Sequence, residues 1–476
     1  MPERVKNLFR SRELVLALDQ GGQSSRACVF DARGEIVAQA SVRVTESRPA
    51  PERVEQDPEE LVASLRTAAE TALHALGSRA VDVTACGLAT QRSSLACWDK
   101  TSGRALAPIL SWQDRRGAQW LERFEPDASE IERRTGLRLS PHYGVSKIAW
   151  CLEHVLGECR TAVCGPLASF LAFRLLEERP LVADAANATR TLLFGLEQAD
   201  WDPWLLARFG IPRAILPDCA PTHAAFGTFV CAGRRIPLRV LTGDQSAALY
   251  ASGEPHSDAL YVNLGTGAFA QRTCTQALRA PGLLTSLVRR ESGRSSFVLE
   301  GTVNGAGSAL SALGAADPVA ALERGLASPT EPPLFLNGHS GLAAPFWRAD
   351  FRSSFVGEGS GDERHVAVAE SVLFLLLEIE RAMRPACGAP ARILASGGLS
   401  RRDALCARLA DLARLPVERA SESEATARGL AWLVRGADFE DEPVSSTCFE
   451  PRADARLTAR HARWRAALAA ARRERP

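Results

Sequence analysis

Short apolar runs broken by glycine open the chain. Leu14 to Leu18 is continuously apolar and stops at Asp19, and Gly21 and Gly22 follow at once. Arg26 to Phe30 and Ile36 to Val44 have the make-up of two further strands, separated by the turn Asp31 to Gly34. Three short strands joined by tight turns predict an antiparallel meander, not a strand-to-helix unit. From Leu61 to Leu76 the apolar positions take helical spacing. Val81 to Leu88 reads as a strand leading into Thr90-Gln91-Arg92-Ser93, and Ile148 to Val155 and Leu167 to Leu176 as helices. Leu238 to Leu241 is a strand ending in Gly243-Asp244-Gln245, with a helix over Ser246 to Ala251.

The opening pattern then recurs. Ala259 to Leu264 is a strand, Gly265-Thr266-Gly267 a turn, and Ala268 to Thr273 a returning strand. A repeated strand, glycine turn and strand predicts two related domains, 1–252 and 253–476, with the boundary near Gly253 to Asp258. Further on, Val366 to Arg381 is a long helix, Arg392 to Ala395 a strand, Gly397-Gly398 a turn, and Asp403 to Leu412 a helix. The Ala/Arg-rich tail, Ala453 to Arg473, reads as a helix with a solvated arginine face.

A length of 476 residues suits two domains, and 46% hydrophobic with 24% charged residues is ordinary for a globular chain. A net charge of +1 and the lack of basic runs interleaved with aromatics argue against nucleic acid as a partner. No apolar stretch has the length of a membrane span, and the charged segment Met1 to Glu13 lacks the apolar centre of a signal peptide. The 12 cysteines show no C-x-x-C pair and no zinc spacing, so they read as small buried hydrophobes in a reducing cytoplasm.

Five segments have the residue types for chemistry. In Asp19-Gln20-Gly21-Gly22-Gln23-Ser24-Ser25-Arg26, glycines let backbone N–H groups approach an anion, the serines and Arg26 add donors, and Asp19 could hold Mg²⁺ through water. A plain tight turn is the competing reading. Gly265-Thr266-Gly267 is a second such turn, and two facing turns would clamp a polyphosphate. Asp244, between strand and helix, can take the proton of an attacking hydroxyl in phosphoryl transfer, or can simply cap the helix. Arg92 could bond a polyol or be a surface charge, and Gly397-Gly398 could admit an adenine ring or serve helix–strand packing.

Taken in order, these segments resemble the FGGY carbohydrate kinases, and among them the glycerol kinases. The resemblance is carried by Leu16 to Gly21 with Ser24 to Ala27, Glu55 to Glu60, Gln91-Arg92, Trp98 to Lys100, Trp112 to Arg116, Lys147 to Trp150, Asp200 to Asp202 and Ile211 to Pro217. It continues through Gly243 to Gln245, Gly265 to Gly267, Leu299 to Gly301, Gly307-Ser308, Ala344 to Trp347 and Gly397-Gly398. It implies an α/β fold of the actin/Hsp70/sugar-kinase (ribonuclease H-like) type, with two domains, each a mixed sheet flanked by helices, and a ligand cleft between them. The implied reaction is ATP-dependent, Mg²⁺-assisted phosphorylation of a small polyol or sugar, glycerol first. A kinase for another polyol or a ketose such as xylulose, or a non-catalytic ATP-binding regulator, are the alternatives.

The resemblance implies Asp244 as base, with Asp19 and Asp244 toward the metal. It implies Arg92, Ser93, Trp112, His142, Tyr143, Gln245 and Phe269 around the acceptor. For ATP it implies Gly21, Gly22, Gln23, Ser24, Arg26, Gly265, Thr266, Gly267, Gly307, Ser311, Gly397, Gly398 and Arg402. It leaves a homodimer open. The sequence departs from the family pattern in three places. Gly22 stands where a Thr is usual, Ser93 where glycerol kinases carry Glu, and His142 where they carry Tyr.

Overall fold

The computed structural model describes residues 13–157, 159–291, 293–420, 424–436 and 446–473; nearly all of the charged leading segment lies outside them. The meander expected at the start is present as β1 (Leu14–Gln20), β2 (Ser24–Phe30) and β3 (Ile36–Arg43), antiparallel throughout. β1 is buried along its whole length, which is why it reads as an unbroken apolar run rather than an alternating one. On its other side lie β4 (Val83–Thr90) and then β6 (Arg234–Gly243), both parallel, with β5 (His223–Cys231) at the edge. The order is β5-β6-β4-β1-β2-β3.

A second sheet repeats this plan. β7 (Ala259–Leu264) and β8 (Ala268–Cys274) form its hairpin, and β9 (Leu284–Glu291) and β10 (Arg294–Val303) extend it beyond β8. β11 (Arg392–Ser396) and β12 (Val417–Ala420) run parallel to β7 on its other side, and β13 (Ser446–Phe449) closes the edge. The order β9-β10-β8-β7-β11-β12-β13 has the same centre as the first sheet, with strand two antiparallel on one flank of strand one and two parallel strands on the other, although β10 rather than β9 lies beside strand two. The repeat noticed in the glycine turns is therefore a repeat of topology.

Helix α1 (Pro58–Leu76) covers β2 and β3, and its start explains a polar stretch of the sequence. Asp57 accepts from the backbone N–H of Glu59 and Glu60, Pro58 occupies the first turn, and the two glutamates sit at the positive end of the helix dipole. Helices α2 (Gly144–His154) and α3 (Asp244–Ala248) begin earlier than apolar spacing alone suggests, and Asp244 is the first residue of α3 rather than its cap. The long helix α4 (Gly361–Cys387) starts in a reciprocal capping box between Ser360 and Glu363. Helix α5 (Ala425–Arg435) comes from the second half of the chain but packs on the first sheet. A Cβ at Gly87 of β4 would lie 2.8 Å from Leu430 Cδ1, so the bare strand is what lets α5 sit down. The tail helix α6 (Ala455–Ala471) leaves Arg456, Arg463 and Arg465 exposed, as expected, but its opposite face is anchored. Trp464 is fully buried and donates its Nε1–H to the Phe335 carbonyl (2.8 Å), and buried Arg460 donates to Glu370 (2.6 Å).

Candidate active site

The first glycine turn is braced by glutamines. Gly21 donates its N–H to the Ser24 carbonyl (3.0 Å), which closes the β1–β2 turn. Gln91 donates through Nε2 to Gln56 Oε1 (2.5 Å), and Gln56 donates to the Gly22 carbonyl (2.9 Å). Buried Gln20 accepts from Ser25 Oγ (2.8 Å). The turn is thus held from beneath while Gly21, Gly22, Gln23 and Ser24 keep exposed surface. A Cβ on Gly22 would meet Gln91 Oε1 at 3.4 Å, an ordinary contact, so the turn tolerates a side chain there.

Asp19 ends β1 opposite Arg26 and is buried, with Oδ1 hydrogen-bonded to no described residue. Burial first, and the neighbouring Asp244 carboxylate next, push its pKa up to about 7, against the opposing pull of Arg26. Arg26 itself reaches Glu424 at 3.1 Å, tying the first hairpin to the segment that enters α5. Asp244 projects from the first turn of α3, half-buried, and accepts from the Gln245 N–H (2.7 Å). Burial raises its pKa, and Arg92 and Arg190 oppose that rise.

Arg92 follows β4 and is buried, so it is not a surface charge. One amino group donates to Gln245 Oε1 and lies 3.8 Å from Glu300 Oε2. Its Nε and other amino group are buried without a protein acceptor. Gly243 is required here, because a Cβ would fall 2.5 Å from Arg92 Cγ. Glu300, on β10, belongs beside this arginine rather than with the nucleotide segments around it in the sequence. It accepts from Arg190 Nη1 (2.6 Å) and Gln271 Nε2 (2.9 Å). Burial works against its charge, but Arg190 and then Arg92 hold its pKa down at about 2. Two buried arginines from the first half thus share one carboxylate from the second. Ser93, next to Arg92, has left-handed backbone (φ 66°) and a buried hydroxyl without a partner.

An aromatic wall faces this cluster. Trp112 is 41% exposed, its ring centroid 5.6 Å from that of His142. Burial, with Arg190 and Lys147 nearby, holds His142 well below the ordinary imidazole range, so it is neutral. Tyr143, next to His142, is buried, with the Arg190 guanidinium 5.5 Å from its ring centre. Lys147 fixes this segment by donating to the carbonyls of His142 (2.7 Å), Pro141 (3.1 Å) and Tyr143 (3.3 Å). Its complete burial lowers its pKa to about 7. Phe269 is half-buried on β8.

The second turn is built from backbone packed on backbone. Gly265 donates to the Gly267 carbonyl (2.9 Å), Gly307 to the Gly265 carbonyl (3.0 Å), and Ser308 to the Thr266 carbonyl (3.0 Å). Side chains are excluded, since Cβ atoms on Gly307 and Gly397 would lie 2.9 and 2.6 Å from the carbonyls of Gly265 and Leu264. Gly397 and the exposed Gly398 turn (φ 91° at Gly397) are thereby brought to the same sheet end as Gly265–Gly267. Ser311 is exposed and donates back to the Gly307 carbonyl (3.0 Å), while Arg402 is engaged by Glu323 (2.6 Å). Sequence reading missed Arg190, Gln271 and the acceptor-side position of Glu300, because each is delivered by a distant element and carries no local signal.

Two like sheets, each presenting a glycine turn, with a carboxylate at a helix start between them, define a phosphotransferase of the sugar-kinase fold. Residues 14–250 match the N-terminal domain model of the FGGY family of carbohydrate kinases, and residues 260–434 match its C-terminal domain model. The chain is 36% identical over 472 residues to the glycerol kinase of Alkalilimnicola ehrlichii, covering 94% of this chain and 93% of the relative. It is 36% identical over 483 residues to that of Thermus brockianus, covering 95% and 97%. The fold is shared with Plasmodium falciparum glycerol kinase crystallised with ADP (TM-score 0.88, 22% identity, 96% and 98% covered). It is shared also with a gluconate kinase from Lactobacillus acidophilus (TM-score 0.83, 20% identity, 97% of each chain). The chain belongs to the FGGY family of carbohydrate kinases, and it is an ATP-dependent kinase of a small polyol or sugar.

Proposed function

We propose that this enzyme transfers the γ-phosphoryl group of ATP to a primary hydroxyl of glycerol in the cytoplasm. The observation that carries the reading is Asp244 set within the field of Arg92. A half-buried carboxylate lies beside a guanidinium whose remaining donors are buried and unengaged by the protein. Arg92 and Gln245 orient the polyol, Trp112, His142 and Phe269 pack on its carbon face, and Asp244 Oδ takes the hydroxyl proton as it attacks. The raised pKa of Asp244 improves it as a base near neutral pH. The two glycine turns offer backbone N–H groups to the phosphates, and closure of the halves excludes water.

The unpartnered Oδ1 of Asp19, with Asp244 close by, fits a divalent cation. Mg²⁺ held there would neutralise phosphate charge. In this reading residues 1–252 carry most of the acceptor site and the first phosphate turn, residues 253–476 carry the rest of the nucleotide site and lend Phe269, Gln271 and Glu300 to the acceptor side, and a homodimer is one assembly it allows. Ser93 deprives the acceptor of a carboxylate partner, so the glycerol KM is expected to exceed that of an Arg-Glu enzyme. The test is ADP release over a panel of polyols and ketoses with MgATP. Glycerol should give the highest kcat/KM, and a ketose outrunning it would overturn the acceptor assignment.

A further inference from the structure

Away from the kinase site, three sulfurs converge. Cys97 and Cys164 face each other across two antiparallel strands, Leu95–Asp99 and Ala162–Pro166, with their Sγ atoms 3.1 Å apart. Cys151 reaches them from α2, and all three buried Sγ atoms lie within 4.8 Å of one another. The remaining nine cysteines form no such group among the described residues. Any one buried cysteine is explained as a small apolar residue, but three sharing one spot place three exchangeable S–H groups at a single point. The thiols also interact. The S–H groups of Cys164 and Cys97 favour the charged form of Cys151, and nearby Arg116 adds to this, so Cys151 is held below the ordinary thiol range.

Charge decides what this group would bind. No fourth His, Cys, Asp or Glu joins it among the described residues, whereas structural zinc closes with four ligands. Three thiolates around a monovalent ion would leave two negative charges in an apolar core, and around a divalent ion one; each is costly when buried. A trivalent centre leaves none. Arsenous acid is also uncharged at neutral pH, so it enters a core without carrying a full charge. We propose that Cys97, Cys151 and Cys164 form a binding site for a trivalent thiophile, As(III), taken up as arsenous acid. Three S–H groups lose their protons and three As–OH groups leave as hydroxide, giving three waters. Three As–S bonds replace three As–O bonds, and nothing is oxidised or reduced.

The position ties this site to the acceptor wall. The first strand begins one residue after Ser94, which follows Arg92-Ser93, and α2 begins directly after Tyr143. Drawing the three sulfurs onto one atom therefore pulls on both sides of that wall.

The test uses the full chain and sodium arsenite. One arsenic per chain should remain after gel filtration, and arsenic-edge absorption should show three sulfur neighbours and no oxygen. Cys97→Ala and Cys164→Ala should each weaken retention by at least about tenfold, while Cys406→Ala should not. Arsenite-soaked crystals scanned at the arsenic edge give the answer without any variant. An anomalous peak between the three Sγ atoms supports the site. No peak at saturation, or a peak at other cysteines, overturns it.

Discussion

At the residue scale, the site rests on buried charges whose pKa values are moved by their surroundings. Asp19 titrates near 7 in the folded chain against an ordinary value of 3.8. Between those values the folded chain holds a proton that the unfolded chain has released, so its contribution is complete at low pH and is lost as pH rises to about 7. Asp19→Asn should remove that slope and stabilise the unliganded enzyme at pH 8 by roughly 2–4 kcal/mol, read by denaturant unfolding. The same substitution should cut kcat/KM for MgATP, and the wild-type acid limb should lie near neutrality rather than in the ordinary carboxylate range. Ser93→Glu places a carboxylate beside Arg92 and should lower the glycerol KM by about tenfold, the 1–3 kcal/mol of a charge-assisted bond less the cost of left-handed backbone. Lys147→Met removes the donor that fixes the carbonyls of Pro141, His142 and Tyr143. It should raise the glycerol KM while leaving the KM for ATP near wild type, and an equal rise in both would show a merely structural role.

Elements joined by local signals were legible in the chain, and those joined over distance were not. The β1–β2–β3 meander, the β7–β8 hairpin and the long helix α4 follow from apolar runs, glycine turns and helical spacing that any neighbouring residues can read. Asp244 and Arg92 were visible as a carboxylate and a guanidinium at strand ends, but the choice between site and surface needed burial. The Arg92–Glu300–Arg190 cluster was invisible, because its three members come from separate segments that meet only when both sheets are assembled. Helix α5 is the clearest case. Its apolar spacing says helix, yet nothing local says that it belongs on the first sheet. A Cβ on Gly429 would fall 1.9 Å from the Ala247 carbonyl of α3. Gly429→Ala should therefore part α5 from α3 and cost about 1–3 kcal/mol in thermal or denaturant unfolding.

For the whole molecule, the two halves of the chain are tied by contacts that run from late residues to early ones. Arg428 donates to the Gly34 carbonyl (2.7 Å) and the Ala251 carbonyl (2.9 Å), Arg26 pairs with Glu424, and Glu300 joins Arg92 and Arg190. The active site is made of both halves, so binding and catalysis require them together. The central claim is that Asp244 takes the acceptor's proton in a site that otherwise binds both substrates. The direct measurement is glycerol-dependent ADP release by Asp244→Asn beside wild type, with the KM for ATP followed in each. The account predicts a loss in kcat of about 10²–10⁴-fold with ATP affinity largely kept. Near-normal turnover of glycerol by the Asn enzyme would contradict it.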